Sequence, residues 1–234
     1  MTRLRDKVAL VTGASRGIGA ALGRRLAAEG AHVVLVARTI GGLEEVDDAI
    51  RASGGTATLV PMDLREGEAI DRLALALHGR FGRLDILVGN AAVLGGLSPL
   101  GHYKPETWAE VMDVNLTANW RLIRAFDGLL RAAPDGRAVF VTSGAARRSR
   151  AYWGPYAASK AGLEAMVRSY ADELANTRVR VNLADPGRVQ TRMRALAYPG
   201  EDPSKLADPV AIAERLVEAV LPTFTRHGEI IELA

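Results

Sequence analysis

Two residues four apart, Tyr156 and Lys160, are placed to do acid–base chemistry. They follow Pro155 and open a stretch of helical periodicity, so the spacing predicts both side chains on one face of a helix. A free phenol titrates near 10, and lowering it by roughly two to three units takes about 3 to 4 kcal/mol. One ammonium at roughly 4 Å and an effective dielectric near 20 is worth about 4 kcal/mol to the phenolate, so Lys160 is expected to lower the pKa of Tyr156. By itself a Tyr-x-x-x-Lys pair is common on ordinary exposed helices. What surrounds it decides its meaning.

A second chemical feature lies near the start of the chain, in Thr12-Gly13-Ala14-Ser15-Arg16-Gly17-Ile18-Gly19. An apolar run precedes it and a helical pattern follows at once. Glycines there allow a tight turn and let the backbone approach a pyrophosphate, while the following helix N-terminus offers free N–H groups and a favourable dipole. The competing reading is a glycine-rich turn without a ligand. A Gly-Lys-Ser/Thr ending is absent, which argues against a nucleoside triphosphatase. After the second apolar run stands Arg38, where an acidic side chain would accept hydrogen bonds from the ribose of NAD. A guanidinium cannot accept; it matches the extra phosphate of NADP(H), and Arg16 could approach the same phosphate from the other side.

The elements that must hold these residues can be read from periodicity. Val-, Leu- and Ala-rich runs at 7–12, 32–37, 56–61, 84–89, 137–142, 178–183 and 229–233 predict seven strands. Most lack polar alternation, as parallel strands covered on both faces do. Helical patterns occupy 18–29, 43–53, 66–81, 106–132 (one helix or two), 156–175 and 209–221. The alternation predicts an α/β fold, one doubly wound Rossmann-type domain spanning 1–234, with ligands beyond the carboxyl ends of the strands. The stretch 198–209 reads as a long irregular segment, a substrate flap or a plain surface loop.

Composition narrows the classes. The 234 residues are 48% hydrophobic and 24% charged, enough for a sizeable core. Cysteine is absent, excluding disulfides, thiol nucleophiles and thiolate metal sites, and the four histidines form no i, i+4 pair, so no metal is expected. The apolar run after Lys7 is too short for a signal peptide or a membrane span, and the expectation is a cytoplasmic protein. A net charge of +3 gives no footprint for nucleic acid, although Arg147, Arg148 and Arg150 crowd one loop. Those arginines are either an anionic substrate handle or solvated loop residues.

The spacing Gly13-x-x-x-Gly17-x-Gly19, followed by Asp63-Leu64, Asn90-Ala91, Tyr156-x-x-x-Lys160 and Pro186-Gly187-x-Val189-x-Thr191, resembles the classical short-chain dehydrogenase/reductase family across nearly the whole chain. The resemblance implies that Asp63 and Leu64 lie against the adenine, that Asn90 and Ala91 support the central strand and the cofactor, and that the segment from Pro186 to Thr191 meets the nicotinamide carboxamide. It also implies a tetrad. Ser143 would hold the substrate oxygen, Tyr156 would donate the proton in reduction, Lys160 would bind the nicotinamide ribose, and Asn115 would link Lys160 to solvent through water. Two departures stand out: Gly89-Asn90-Ala91-Ala92 replaces the usual Asn-Asn-Ala-Gly, and the chain ends Glu232-Leu233-Ala234 rather than Asp-Gly-Gly. The implied activity is hydride transfer between NADP(H) and a small-molecule carbonyl or secondary alcohol, in a homodimer or homotetramer without a nucleic-acid or membrane partner. The alternative is a dehydrogenase fold that binds NADP as a sensor without turnover.

Overall fold

In the computed structural model, which describes residues 2–148 and 150–234, the strands form one parallel sheet. They are β1 (Val8–Thr12), β2 (His32–Ala37), β3 (Thr56–Pro61), β4 (Ile86–Gly89), β5 (Arg137–Val141), β6 (Arg180–Asp185) and β7 (Ile230–Glu232), in the order β3-β2-β1-β4-β5-β6-β7. The order reverses between β1 and β4, and the crevice there is where such sheets bind ligands.

Helices cover both faces: α1 (Gly17–Ala28), α2 (Ile40–Ala52), α3 (Gly67–Phe81), α4 (Pro105–Met112), α5 (Ala118–Ala132), α6 (Gly154–Glu173), α7 (Arg192–Ala197) and α8 (Pro209–Glu218). Strand side chains alternate between two cores. Ala9, Val11, Val33, Leu35 and Val88 pack beneath α1, α2 and α8 through Leu22, Leu26, Val46 and Leu216. Leu10, Val34, Leu87, Phe140 and Leu183 pack on the other face against Phe126, Leu163 and Val167. The central strands are buried on both faces, which is why they read as continuous apolar runs.

Three expectations shift. The 106–132 pattern is interrupted by a wider, π-helical turn at Asp113–Thr117, between α4 and α5. Asn115 causes it: its side chain exchanges two hydrogen bonds with the backbone of Val93, at 2.8 and 2.9 Å, and Asn119 caps the Asn115 carbonyl at 2.8 Å. The sixth strand runs two residues later than its apolar pattern implies, because Arg180 pairs with Arg137 and carries Asp185 to the strand end. Helix α7, which periodicity does not predict, precedes the 198–209 segment expected to be irregular, and a 3₁₀ turn at Pro203–Lys205 interrupts that segment. Among the described residues no helix is long and apolar enough to cross a membrane.

Candidate active site

A cavity of about 1060 Å³ opens at the carboxyl ends of the strands and gathers residues from every predicted motif. At one end is the glycine turn. Gly13 has φ +66°, and a Cβ there would lie 2.9 Å from the Ala91 Cα. A Cβ at Gly19 would lie 2.3 Å from the Gly13 carbonyl oxygen and 2.6 Å from the Asn90 Nδ2. Neither position accepts a side chain.

Asn90 and Thr12 hold this turn to the end of β4. The Asn90 amide donates to the Thr12 carbonyl at 2.8 Å, and the Thr12 hydroxyl accepts from the backbone N–H groups of Asn90 and Ala91 at 3.0 and 3.1 Å. Helix α1 then starts at Arg16 with no side-chain cap and no acidic residue in its first turn, so its N-terminal N–H groups remain available to an anion. Ser15, Arg16, Gly17 and Ile18 line this end, with Thr191 close to Gly17.

Arg38 follows β2 with its side chain half exposed, making among the described residues only a long 3.9 Å ion-pair contact, with Glu110. Asp63 and Leu64 lie opposite in the same cavity, and Arg65 holds the Asp63 carboxyl below its ordinary range by hydrogen bonding. Pro186, Gly187 and Val189 line the far wall; Val189 is buried and bridges to Ala207. The residues present fit a phosphorylated nicotinamide dinucleotide: a bare backbone cradle, an uncapped helix start and an uncommitted guanidinium at the ribose position.

The acid–base residues meet where α6 begins. The helix starts at Gly154 with Pro155 in its first turn, two residues before the predicted start, a position proline tolerates because its missing N–H would be unpaired there. Tyr156 and Lys160 are buried, the latter 2% exposed, and Ser143 stands at the end of β5 facing Tyr156. The Lys160 ammonium donates to the Val141 carbonyl at 2.7 Å and sits 5.9 Å from the centre of the Tyr156 ring.

The expected lowering of the phenol by Lys160 is not what this arrangement gives. Burial pushes Tyr156 up to about 12, against a pull from the Ser143 hydroxyl, and the carboxylate of Asp185 pushes it further up. Burial also takes Lys160 down to about 8. Desolvation of two adjacent groups outweighs their attraction while the ammonium is turned to β5.

Asn115 also has a structural role of its own. Both amide hydrogens of its side chain are engaged, one with Val93 and the other with the Ser159 hydroxyl at 3.0 Å, and no hydrogen bond joins it to Lys160. It fixes the turn beneath α6. Gly89 has a local reason: a Cβ there would lie 2.3 Å from the Asn119 Oδ1 and 2.5 Å from the Phe140 ring, so Asn119 occupies the space of the missing asparagine.

Sequence reasoning missed three contributors. Arg147 does not reach into the cavity as a handle; it bridges Glu164, one turn beyond Lys160, and Asp185, next to Pro186. Glu164 also accepts from the Thr142 hydroxyl at 2.8 Å and pairs with Arg168, so the ends of β5 and β6 are tied to α6. An acidic residue closing an apolar strand was the available signal. Arg150 donates to the Tyr198 hydroxyl at 2.9 Å, Arg148 is exposed, and Ser149 lies outside the described residues. The third is an apolar cluster around Tyr156, made by Leu94, Trp153, Met193, Ala197 and Tyr198.

Residues 7–202 match the family model for short chain dehydrogenases. The Escherichia coli (strain K12) oxidoreductase YciK is 38% identical over 212 residues, covering 89% of this chain and 84% of that protein. The structure of a short chain dehydrogenase from Pseudomonas syringae superposes with a TM-score of 0.96 at 37% identity, covering 100% of this chain and 96% of the other. A short chain dehydrogenase from Shigella flexneri 2a, complexed with NADP, has a TM-score of 0.95 at 35% identity, covering 99% and 98%.

Proposed function

The chain belongs to the short-chain dehydrogenase family, and on that footing we propose that it transfers a hydride between NADP(H) and a small-molecule carbonyl or secondary alcohol. The observation that carries this reading is the convergence of Ser143, Tyr156 and Lys160 in the same cavity as the bare glycine cradle. A sensor would need the cradle alone. The NADP-bound Shigella relative supports the choice of cofactor, and so does Arg38.

When bound, the nicotinamide supplies or accepts the hydride. Gly13, Ser15, Arg16, Gly17, Ile18 and Gly19 would take the pyrophosphate on backbone N–H groups, and Arg38 with Arg16 would take the ribose phosphate. Asp63 and Leu64 would flank the adenine; Asn90 and Ala91 would support the centre of the cofactor; Pro186, Gly187, Val189 and Thr191 would hold the carboxamide end. In reduction, Tyr156 donates its hydroxyl proton to the carbonyl oxygen while Ser143 orients that oxygen and stabilises its developing charge. A phenol raised to about 12 carries its proton at neutral pH but is a weaker acid than the free phenol. Lys160 would reach the nicotinamide ribose from α6, and Asn115 keeps α6 in register with the loop after β4. The domain spans the chain and works in the cytoplasm as a homodimer or homotetramer.

The test is a panel of ketones, aldehydes and secondary alcohols with NADPH and NADP⁺, following nicotinamide absorbance, for the wild type and Tyr156→Phe. Turnover by the wild type and a loss of roughly 10²-fold or more in the variant, with NADPH binding retained, is the expected result. NADPH binding with no turnover of any compound would establish the sensor instead.

A further inference from the structure

The walls around the Tyr156 hydroxyl differ in character from the rest of the cavity. Leu94 comes from the loop after β4, Trp153 from the residue before α6, Met193 and Ala197 from α7, and Tyr198 from just beyond it, with Ala145 below. Four separate segments thus deliver apolar or aromatic surface to one place. Trp153 sets its edge against Tyr156, ring centres 5.7 Å apart at 70°, and lies tilted on Tyr198 at 5.9 Å and 35°.

The backbone is strained to make this contact. Tyr152, immediately before Trp153, has φ +74°, a left-handed conformation costly for a bulky residue. Its carbonyl is held by the Tyr103 hydroxyl at 2.7 Å and the Ser98 N–H at 3.3 Å. These bonds pin the loop after β4 to the start of α6 and aim Trp153 over Tyr156.

The charged groups nearby are already committed. Arg147 pairs with Glu164 and Asp185, and Arg150 donates to the Tyr198 hydroxyl. Arg194 binds Glu201 through two 2.5 Å contacts and covers the other side of the Tyr198 ring at 3.8 Å. Arg192 directly follows Thr191, whose methyl lies 3.5 Å from the Cβ position of Gly17, and lines the same cavity. An anionic substituent entering beside Tyr156 would have to break one of these pairs. A polyhydroxylated substrate would have to press hydroxyls against Leu94, Ala145 and Ala197, whose side chains neither donate nor accept.

We propose that the substrate bears a flat apolar group, an aryl ring, next to its carbonyl or carbinol carbon, and that this group packs on Trp153 in the place taken by Tyr198, with Leu94 and Met193 at its edges. The ring centres of Trp153 and Tyr198 are too close to admit a third ring between them, so entry of the substrate displaces Tyr198 and α7 outward. Arg194 and Glu201 move with it as one unit. This inference rests on the hydride-transfer reading above.

The test uses three ketones of graded chemistry with NADPH: acetophenone, 4-acetylbenzoate and dihydroxyacetone. Acetophenone is expected to exceed each of the others in kcat/KM by about tenfold or more, the scale on which apolar pockets discriminate. Trp153→Ala should lose about tenfold or more on acetophenone, mainly in KM, with Trp153→Phe between it and the wild type. A second readout needs no turnover: acetophenone added to the NADP⁺ complex should change the tryptophan emission of the wild type, and should change that of Trp153→Phe much less. Preference for dihydroxyacetone, with NADPH turned over, overturns the aryl assignment and leaves the oxidoreductase reading standing, and preference for 4-acetylbenzoate overturns the claim that the ring packs among apolar, uncharged surroundings. Equal kcat/KM for acetophenone in wild type and Trp153→Ala also overturns it. NADPH binding without reduction of any ketone overturns both.

Discussion

Arg147→Met removes a guanidinium from between two largely buried carboxylates: the side chain of Glu164 is 5% exposed and that of Asp185 12%. Breaking a buried ion pair from one side costs roughly 3–5 kcal/mol, because the surviving charge loses its partner but stays desolvated. Here the cost falls at or below the lower edge. Arg147 is itself 35% exposed, and Glu164 keeps Arg168 and the Thr142 hydroxyl. A loss of about 2–3 kcal/mol at pH 7 corresponds to a fall in Tm of about 4–12 °C for a chain of this size. Circular dichroism melts measure it. A second readout separates charge from packing. The carboxylate of Asp185 already raises Tyr156, so loss of Arg147 strengthens that push. Tyr156 faces Lys160 and Ser143 within the site, with the Arg194–Glu201 pair and Arg150 on the α7 side, and none of those changes. Alcohol oxidation needs the phenolate, so its rate should begin to rise at higher pH in Arg147→Met than in the wild type. Adding Asp185→Asn should bring the profile back. A Tm within about one degree of wild type together with an unchanged pH profile would refute the reasoning.

Gly19→Ala should abolish measurable NADPH binding, since a Cβ at 2.3 Å from the Gly13 oxygen forces the cradle apart; fluorescence titration with NADPH checks it, and near-normal affinity contradicts the assigned cradle. Arg38→Asp should lose or invert a preference for NADPH over NADH of about ten- to a hundredfold in kcat/KM, and equal use of both cofactors by the wild type contradicts the role of Arg38. Burial lowers Lys160 to about 8 from its ordinary 10.5, so its charge opposes folding at every pH below about 8, and the penalty fades as pH rises to 10.5. The Tm of Lys160→Met relative to wild type should therefore be highest below pH 8 and decline between 8 and 10.5; a flat difference contradicts a buried charged lysine.

The parts of the site written in local spacing were legible from the sequence. Gly13, Gly17 and Gly19 sit in one turn, and Tyr156 and Lys160 lie one helical turn apart, so the chain itself fixes their proximity. The apolar strands were legible for a similar reason, since burial on both faces leaves little alternation to misread. What depends on register between distant segments was not. Asp185 reaches Arg147 only because β6 pairs two residues later than its apolar run implies. Gly89 is explained by Asn119, thirty positions away, and Asn119 faces it only after the π-helical turn at Asn115 has rotated α5. Trp153 and Tyr198 meet through a strained Tyr152 and a short helix too brief to show periodicity. The orientation of Lys160 toward Val141 turns on a buried carbonyl seeking a donor, which i, i+4 spacing does not record.

The most direct test of hydride transfer is to reduce a ketone with NADPH carrying deuterium at both C4 positions and to weigh the alcohol by mass spectrometry. The wild type should place one deuterium on the carbinol carbon of the product, with one NADP⁺ formed per alcohol. Oxidation of the labelled NADPH that leaves the alcohol without deuterium, or leaves no alcohol at all, would contradict the account.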